Sequence, residues 1–169
     1  MARVHLVLGP VGAGKSTYVA KLVREHEAVP LNLDEWMAVL FRPDRPDGPS
    51  ERMAWYGERV ERCLEQIWRV TFGVLASGTD AVLEVGLIRR EQRAAFFGRV
   101  DAEALDLTLH ALDAPREVRR ARVEQRNRER GATFAMEVPP AIFELASDLW
   151  EPLTDAETDG RDVRVVTTG

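Results

Sequence analysis

A glycine-rich turn near the start of the chain constrains the fold more than any other stretch. Residues 9–16 read Gly-Pro-Val-Gly-Ala-Gly-Lys-Ser, which matches the pattern G-x-x-x-x-G-K-[ST]. An apolar, β-branched segment precedes the turn, and a segment with helical spacing follows it. A strand, a glycine turn and a helix N-terminus form an anion cradle, because backbone N–H groups point inward and the helix dipole favours negative charge. The stretch therefore predicts a site for the phosphates of a nucleoside triphosphate.

Each residue type in the turn has a chemical reason to be there. Glycines permit backbone angles and a close phosphate approach that a β-carbon would forbid. Lys15 can reach the β- and γ-phosphates, and the Ser16 hydroxyl can ligate Mg²⁺. The pattern does not distinguish ATP from GTP, and ATP is assigned because it is the more common ligand. The predicted site binds ATP and Mg²⁺ through Gly9, Gly12, Ala13, Gly14, Lys15, Ser16 and Thr17.

Length and charge exclude several other classes of protein. The 169 residues are 45% hydrophobic and 30% charged, which predicts a single globular domain over residues 1–169. The net charge of −5 argues against attraction of the whole surface to nucleic acid, although a local basic groove remains open. The sequence has no basic-then-apolar leader and no run of the ~20 apolar residues that cross a bilayer. With Cys63 as the one cysteine, these features predict a cytoplasmic protein without a membrane partner.

Strand-like apolar segments alternate with helical segments along the chain. Ser50 is a plausible N-cap for a long amphipathic helix, and a proline-rich loop at 42–49 precedes it. Alternation of strands and helices predicts an α/β three-layer sandwich with a five-stranded parallel sheet, the fold of P-loop NTPases. The predicted strands are 3–8, 28–33, 81–85, 105–112 and 162–167.

Two carboxylates near the ends of predicted strands are candidates for the chemistry. Asp34 follows the second strand, and Glu84 lies near the end of the third. If the first and third strands are neighbours, both carboxylates can face the terminal phosphate at the carboxyl edge of the sheet. Asp34 can accept a proton from an acceptor hydroxyl, or it can cap the helix that it opens. Glu84 can hold Mg²⁺ together with Ser16, or it can contact the substrate.

Arginines on a later helix could supply the cations that phosphoryl transfer needs. Arg122, Arg126 and Arg130 recur every four residues, and like charges with this spacing favour an anionic ligand. They predict a lid over about residues 120–140 that closes over the triphosphate and stabilises the charge developing during transfer. The alternative is a surface helix whose arginines pair with glutamates of the same helix.

The acceptor of the phosphoryl group is predicted to lie between Asp34, the loop at 42–49 and the start of the long helix. Trp55 and Tyr56 are candidate contacts on that helix, although these aromatic residues could equally belong to the core. Arg89 and Arg93 begin the helix after the third strand and could steer an acceptor. The alternative for these two arginines is a solvated helix face.

The motifs resemble those of a known group of enzymes. The chain is similar to the small ATP-dependent P-loop kinases of the adenylate-kinase-like superfamily, in the branch that holds polynucleotide 5′-hydroxyl kinases, chloramphenicol phosphotransferase and zeta toxins. The resemblance implies that Asp34 is the general base, that Lys15 and Ser16 serve phosphate and Mg²⁺, and that Arg126 and Arg130 are lid arginines. It rests on residues 9–17, 34, 82–93, 114–118 and 126–131.

Two positions depart from the pattern of that branch. Met37 stands where polynucleotide kinases tend to place an arginine three residues after the base, and Glu84 stands where relatives usually have aspartate. The sequence therefore favours a small-molecule hydroxyl acceptor, such as a drug, a sugar or a nucleoside, over a polynucleotide 5′ end. A nucleotide-binding regulatory module that acts through a protein partner is a second alternative. The sequence does not predict the oligomeric state.

Overall fold

Five parallel strands form the central sheet of the protein. The structure is a computed structural model that describes residues 1–131, 134 and 136–169. The strands are β1 (Val4–Leu8), β2 (Val29–Asn32), β3 (Ala81–Glu84), β4 (Leu107–Asp113) and β5 (Asp162–Thr167). Their order across the sheet is β2-β3-β1-β4-β5, and every pairing is parallel. The sequence-based fold class is confirmed, and β1 and β3 are neighbours, so the loops after β1 and β3 meet at one edge.

Helices cover both faces of this sheet. The helices are α1 (Lys15–His26), α2 (Leu33–Leu40), α3 (Pro49–Ala76), α4 (Arg90–Ala102), α5 (Arg116–Glu129), α6 (Pro140–Leu149) and α7 (Asp155–Thr158), with a short 3₁₀ turn at Arg42–Asp44. Alternate residues of β1 enter different cores because successive strand side chains point to opposite faces. Leu6 packs with α3 and α4 residues such as Ile67 and Phe96, whereas Val7 packs with Val19 of α1. No helix in the described part of the chain combines the length and hydropathy needed to cross a bilayer.

Two helix starts differ from the sequence-based expectation. The long helix α3 begins at Pro49, with Gly48 in the N-cap position, so Ser50 lies inside the helix. Helix α2 begins at Leu33, and its N-cap is Asn32, whose side chain accepts a hydrogen bond from the backbone N–H of Glu35 at 3.0 Å. Asp34 therefore lies in the first turn of α2, and the capping role that was open to it belongs to Asn32.

Arg93, which the sequence analysis selected as a candidate acceptor contact, lies buried in the packing of the protein. Its side chain is fully buried, and its Nε donates to Glu157 Oε1 at 2.6 Å. Burial alone would raise the pKa of Glu157, but hydrogen bonds from Arg93 and Thr154 hold that pKa below its usual value. The Arg93 guanidinium also donates to the Ile88 carbonyl at 3.2 Å and lies 5.4 Å from the ring centroid of Trp150. Arg93 thus ties α4 to α7 and to the segment after β3.

Substituting Arg93 by Met is expected to lower the free energy of unfolding by about 3 kcal/mol, because Glu157 would stay buried without its cation. Chemical denaturation of the full chain measures this change. Arg90→Met is the matched control, because Arg90 approaches the same carboxylate at 3.8 Å but is 59% exposed. The control is expected to cost about 0.5 kcal/mol or less. Equal losses in the two variants would show that burial of the Arg93–Glu157 pair is unimportant.

Candidate active site

The turn between β1 and α1 has the backbone geometry that the glycine pattern predicts. Gly12 and Gly14 have φ of 79° and 89°, in the left-handed region that favours glycine. A β-carbon at Gly12 would lie 2.6 Å from the backbone oxygen of Arg119, so a larger residue would displace the turn from α5. Gly14 is also the N-cap of α1, where no side chain caps the helix. The N–H groups at the start of α1 are therefore left for an anion.

Arg119 of α5 holds this turn through hydrogen bonds, and the sequence analysis did not select it as a site residue. Its guanidinium donates to the carbonyl oxygens of Val11 and Ala114, each at 3.0 Å, and to Ser147 Oγ at 3.1 Å. The side chain is buried, with 7% of its surface exposed. The sequence does contain a signal that Arg119 is buried. The apolar Val123 lies four residues later, on the same face of α5, which indicates that this face packs against the protein.

Ser16 and Glu84 bring two oxygen ligands together at the carboxyl edge of the sheet. Ser16 Oγ donates to Glu84 Oε1 at 3.3 Å, and Asn32 Nδ2 donates to Glu84 Oε2 at 3.0 Å. Asn32, which sequence reasoning missed, is placed there because β2 pairs with β3 and Asn32 lies opposite Glu84. A hydroxyl beside a carboxylate fits the preference of Mg²⁺ for oxygen ligands. These residues could hold the ion that a nucleoside triphosphate brings.

The charged groups of the site shift one another's pKa values. Burial lowers the pKa of Lys15, and the charges of Glu84 and Asp34 oppose that shift. Burial raises the pKa of Glu84, an effect that Lys15 opposes and Asp34 adds to. Lys15 Nζ donates to the carbonyl oxygen of Pro10 at 3.1 Å, which holds it within the turn. Lys15, Glu84 and Asp34 therefore belong to one charge cluster, in which Glu84 is buried, Lys15 is partly buried and Asp34 is exposed.

Arg126 adds a second cation to this cluster. Its Nε is buried and has no hydrogen-bond partner within the described residues. Burial lowers the pKa of Arg126, and the carboxylates of Asp34 and Glu84 oppose the shift. A buried donor that stays unpaired costs about 1–3 kcal/mol, so the arrangement favours an anionic ligand.

The other two arginines of the predicted lid lie in different surroundings. Arg122 lines the cleft but donates to Thr168 Oγ1 at 2.9 Å and to the Gly169 carbonyl at 3.1 Å. Arg130 is 64% exposed and lies 3.4 Å from a Glu137 carboxylate oxygen. Helix α5 ends at Glu129, and Arg130 adopts φ 46°, so the every-four spacing no longer places it on the face of Arg126. Residues 132, 133 and 135 of the predicted lid lie outside the described residues.

A cleft of ≈1080 Å³ opens over the turn. Single-ligand pockets measure about 300–1,000 Å³, so this cleft has room for a nucleotide and a second substrate. Its charged lining includes Lys15, Asp34, Glu84 and Arg126. Its apolar lining includes Leu87, Ile88, Phe134, Met136, Ile142 and Trp150.

Three predicted acceptor contacts are not among the described residues that line the cleft. The Trp55 ring instead lies against the Arg59 guanidinium, 4.4 Å from ring centroid to Cζ. Arg89 occupies the N-cap position of α4. Arg93 is the third predicted acceptor contact that is not among the described lining residues. Tyr56, next to Trp55, does line the cleft, and burial together with the Asp34 charge raises the pKa of its hydroxyl. Of the two neighbouring aromatic residues at the start of the long helix, Tyr56 lines the cleft and Trp55 is not among its described lining residues.

Comparison with known proteins supports the fold. The model of the AAA_33 family, described as an AAA domain, matches residues 4–153. A candidate kinase from Chloroflexus aurantiacus is 15% identical with a TM-score of 0.71, over 98% of this chain and 85% of that one. Kti12 from Chaetomium thermophilum, solved with ADP-AlF3, is 15% identical with a TM-score of 0.66, over 97% and 88% of the two chains. The APS kinase CysC from Mycobacterium tuberculosis, solved with AMPPNP and APS, is 16% identical with a TM-score of 0.60, over 98% and 88%.

No curated protein matches the sequence. The predicted resemblance to P-loop kinases of the adenylate-kinase-like superfamily is confirmed by the family match and by these folds. At identities of 15–16%, the solved structures establish the fold, and the acceptor has to be argued from the site.

Gly12→Ala is expected to weaken ATP binding by about tenfold or more, because the new β-carbon meets the Arg119 carbonyl and the positive φ becomes strained. Titration with a fluorescent ATP analogue measures the affinity. Gly73→Ala is the matched control, since a β-carbon in that part of α3 has no neighbour within 4 Å. Unchanged affinity in Gly12→Ala would contradict the assignment of this turn as the phosphate site.

Proposed function

The chain belongs to the AAA_33 family of AAA domains, and we propose that it is a Mg²⁺- and ATP-dependent kinase with a small-molecule hydroxyl acceptor. One observation carries the proposal. The buried and unpaired Nε of Arg126, unpaired within the described residues, lies in the same charge cluster as Lys15, Glu84 and Asp34. This arrangement has the cations, oxygen ligands and carboxylate that phosphoryl transfer requires.

The residues after β1 bind the triphosphate in this proposal. Gly9, Gly12, Ala13, Gly14 and Thr17 contribute the backbone and helix start of the cradle, and Lys15 contacts the terminal phosphates. Bound Mg²⁺ supplies positive charge that neutralises the phosphate oxygens, and Ser16 and Glu84 would hold it. Glu84 stays in place through its hydrogen bond from Asn32.

Asp34 acts as the general base. Because Asn32 caps α2, the Asp34 carboxylate is not required for the helix start. It accepts the proton of the acceptor hydroxyl while the hydroxyl oxygen bonds to the γ-phosphorus and the bond to the β,γ-bridging oxygen breaks. ADP leaves, and Arg126 stabilises the charge on the transferred group. Within a single domain spanning 1–169, the segment at about 120–140 serves as the lid, with Arg122 and Arg130 in supporting positions.

The apolar wall of the cleft favours a small acceptor with an apolar or ring-shaped part. Leu87, Ile88 and Trp150 form this wall, and Tyr56 lies on the side of Asp34. Met37 stands at the position where polynucleotide kinases tend to have arginine. Its side chain is 3% exposed and packs in the core, so it offers no contact to a nucleic acid. A drug, a sugar or a nucleoside therefore fits the cleft better than a polynucleotide end.

A transfer assay with γ-labelled ATP and Mg²⁺ tests the proposal. The full chain is incubated with a library of hydroxylated small molecules and with 5′-hydroxyl DNA and RNA oligonucleotides. The proposed function predicts label on a small molecule. Label on oligonucleotide ends would identify a polynucleotide 5′-kinase instead. Nucleotide-dependent capture of a protein partner, with no acceptor labelled, would identify a regulatory module.

Asp34→Asn is expected to slow phosphoryl transfer by ~10²-fold or more and to leave ATP affinity nearly unchanged, because the amide cannot accept the hydroxyl proton. Single-turnover transfer and nucleotide titration separate the two effects. Asp44→Asn, an exposed acid in the nearby 3₁₀ turn, is the matched control. A transfer rate that stays at the wild-type value in Asp34→Asn would remove Asp34 from the mechanism.

Arg126→Met is expected to reduce the transfer rate by ~10³-fold, the lower range for arginines that stabilise the transferred phosphoryl group. Arg128→Met, an exposed arginine on the same helix, provides the control for loss of one positive charge from α5. The ratio of the two rates is the informative quantity. Equal rates in the two variants would mean that Arg126 acts only through the general charge of the helix.

A further inference from the structure

All three histidines of the chain lie in one cluster on the α1 side of the sheet. His5 is in β1, His110 is in β4, and His26 is the last residue of α1. Asp80, which directly precedes β3, completes the group. Because the strands are parallel, His5 and Asp80 lie toward the amino ends of β1 and β3, whereas the phosphate turn follows the carboxyl end of β1. None of His5, His26 and Asp80 is among the described residues that line the cleft.

Three atoms of this cluster have the spacing of metal ligands. His5 Nε2 lies 3.2 Å from Asp80 Oδ2, and His26 Nδ1 lies 3.8 Å from the same oxygen. All three ligand atoms are within 4.8 Å of one another. Ligand atoms around a tetrahedral Zn²⁺ at ~2.0–2.2 Å lie about 3.3–3.6 Å apart. We propose that His5, His26 and Asp80 bind a divalent transition-metal ion of the zinc class.

A buried hydrogen bond orients the central ligand. His5 is 1% exposed, and its Nδ1 lies 3.0 Å from Nε2 of the fully buried His110. Metal-binding histidines commonly donate their second ring N–H to such a partner, which fixes the ring and the tautomer. On the other ligand, Asp80 Oδ1 accepts the backbone N–H of Arg3 at 2.8 Å, and this leaves Oδ2 for the ion.

The hydrogen-bond chain has two consistent directions, and one of them requires a cation. The chain continues from His110 Nδ1 to the Tyr18 hydroxyl at 3.0 Å. If Tyr18 donates to His110 and His110 donates to His5, then His5 Nε2 carries a proton and donates it to Asp80. If every donor is reversed, the Nε2 lone pair of His5 faces the Asp80 carboxylate, and only a proton or a metal ion between them relieves that repulsion. Metal binding therefore displaces the His5 Nε2 proton, each remaining proton moves one step along the chain, and the Tyr18 oxygen takes up a proton from solvent, so that the neutral chain releases no net proton.

The donor set and the exposure of the cluster determine which ion it takes. Two imidazole nitrogens and one carboxylate oxygen suit Zn²⁺ or Co²⁺, whereas Mg²⁺ prefers an octahedral shell of oxygens. His26 and Asp80 are 30% and 19% exposed, so an ion can enter from solvent and keep a water as its fourth ligand. The ion would join β1, the turn before β3 and the end of α1, which is the helix that begins at the phosphate site.

Titration with CoCl₂ of the full chain, stripped of metal and free of nucleotide, tests this proposal. Tetrahedral Co²⁺ absorbs visible light much more strongly than octahedral Co²⁺. We expect one equivalent of strongly absorbing Co²⁺ that ZnCl₂ displaces and excess MgCl₂ does not. An octahedral spectrum, or displacement by MgCl₂, would overturn the proposal.

Variants assign the signal to its ligands. His26→Gln, a change at a partly exposed helix end, is expected to weaken Co²⁺ binding by more than tenfold, with folding checked by circular dichroism. Glu25→Gln, in the same turn of α1 and 51% exposed, is the matched control and is expected to keep wild-type affinity. His110→Asn is expected to weaken binding by ~10–100-fold as the loss of a positioning residue. Wild-type affinity in His26→Gln, or loss of the signal in Ser16→Ala, would place the ion elsewhere and overturn the proposal.

Discussion

The close packing of the phosphate turn against α5 is the contact on which the site depends. Gly12 leaves no room for a β-carbon beside the Arg119 carbonyl, and the Arg119 guanidinium binds the turn at the Val11 carbonyl. The backbone carbonyl of Arg119 therefore limits the size of the residue at position 12, and the guanidinium of Arg119 holds the turn in place. Because α5 also carries Arg126, the same packing sets the position of the phosphate cradle relative to the arginine above it. In the proposed mechanism, phosphate binding by the turn and charge stabilisation by Arg126 both depend on this packing.

Burial gives the charges of this site their strength. Removing Lys15 and Glu84 from water disfavours the charged form of each. The two groups oppose this effect in each other, and Asp34 also opposes it for Lys15 and Arg126 for Glu84. Electrostatic interactions in such surroundings are stronger than in water, since less solvent screens them. A triphosphate with Mg²⁺ brings negative and positive charges that match these groups, which is the physical basis for placing phosphoryl transfer here.

Local patterns were sufficient to predict the sheet and the phosphate turn. Apolar segments that alternate with helical segments located the five strands, and the glycine spacing located the turn after β1, because both signals come from residues close together in the sequence. Contacts between distant residues were not legible in this way. The pairing of Arg93 with Glu157 spans 64 residues, so an arginine at the start of a helix could not be distinguished from a substrate contact. The prediction that Arg130 shares a helix face with Arg126 was wrong because α5 ends at Glu129, one residue before Arg130.

A crystal structure with AMPPNP and Mg²⁺ tests the proposed site most directly. The expected result is a γ-phosphate within hydrogen-bond distance of Lys15 and Arg126, Mg²⁺ bound to the Ser16 hydroxyl, and the Asp34 carboxylate facing the side from which an acceptor would attack. A cleft that stays empty at saturating nucleotide, or an Asp34 carboxylate that points into bulk water away from the γ-phosphate, would contradict the kinase assignment.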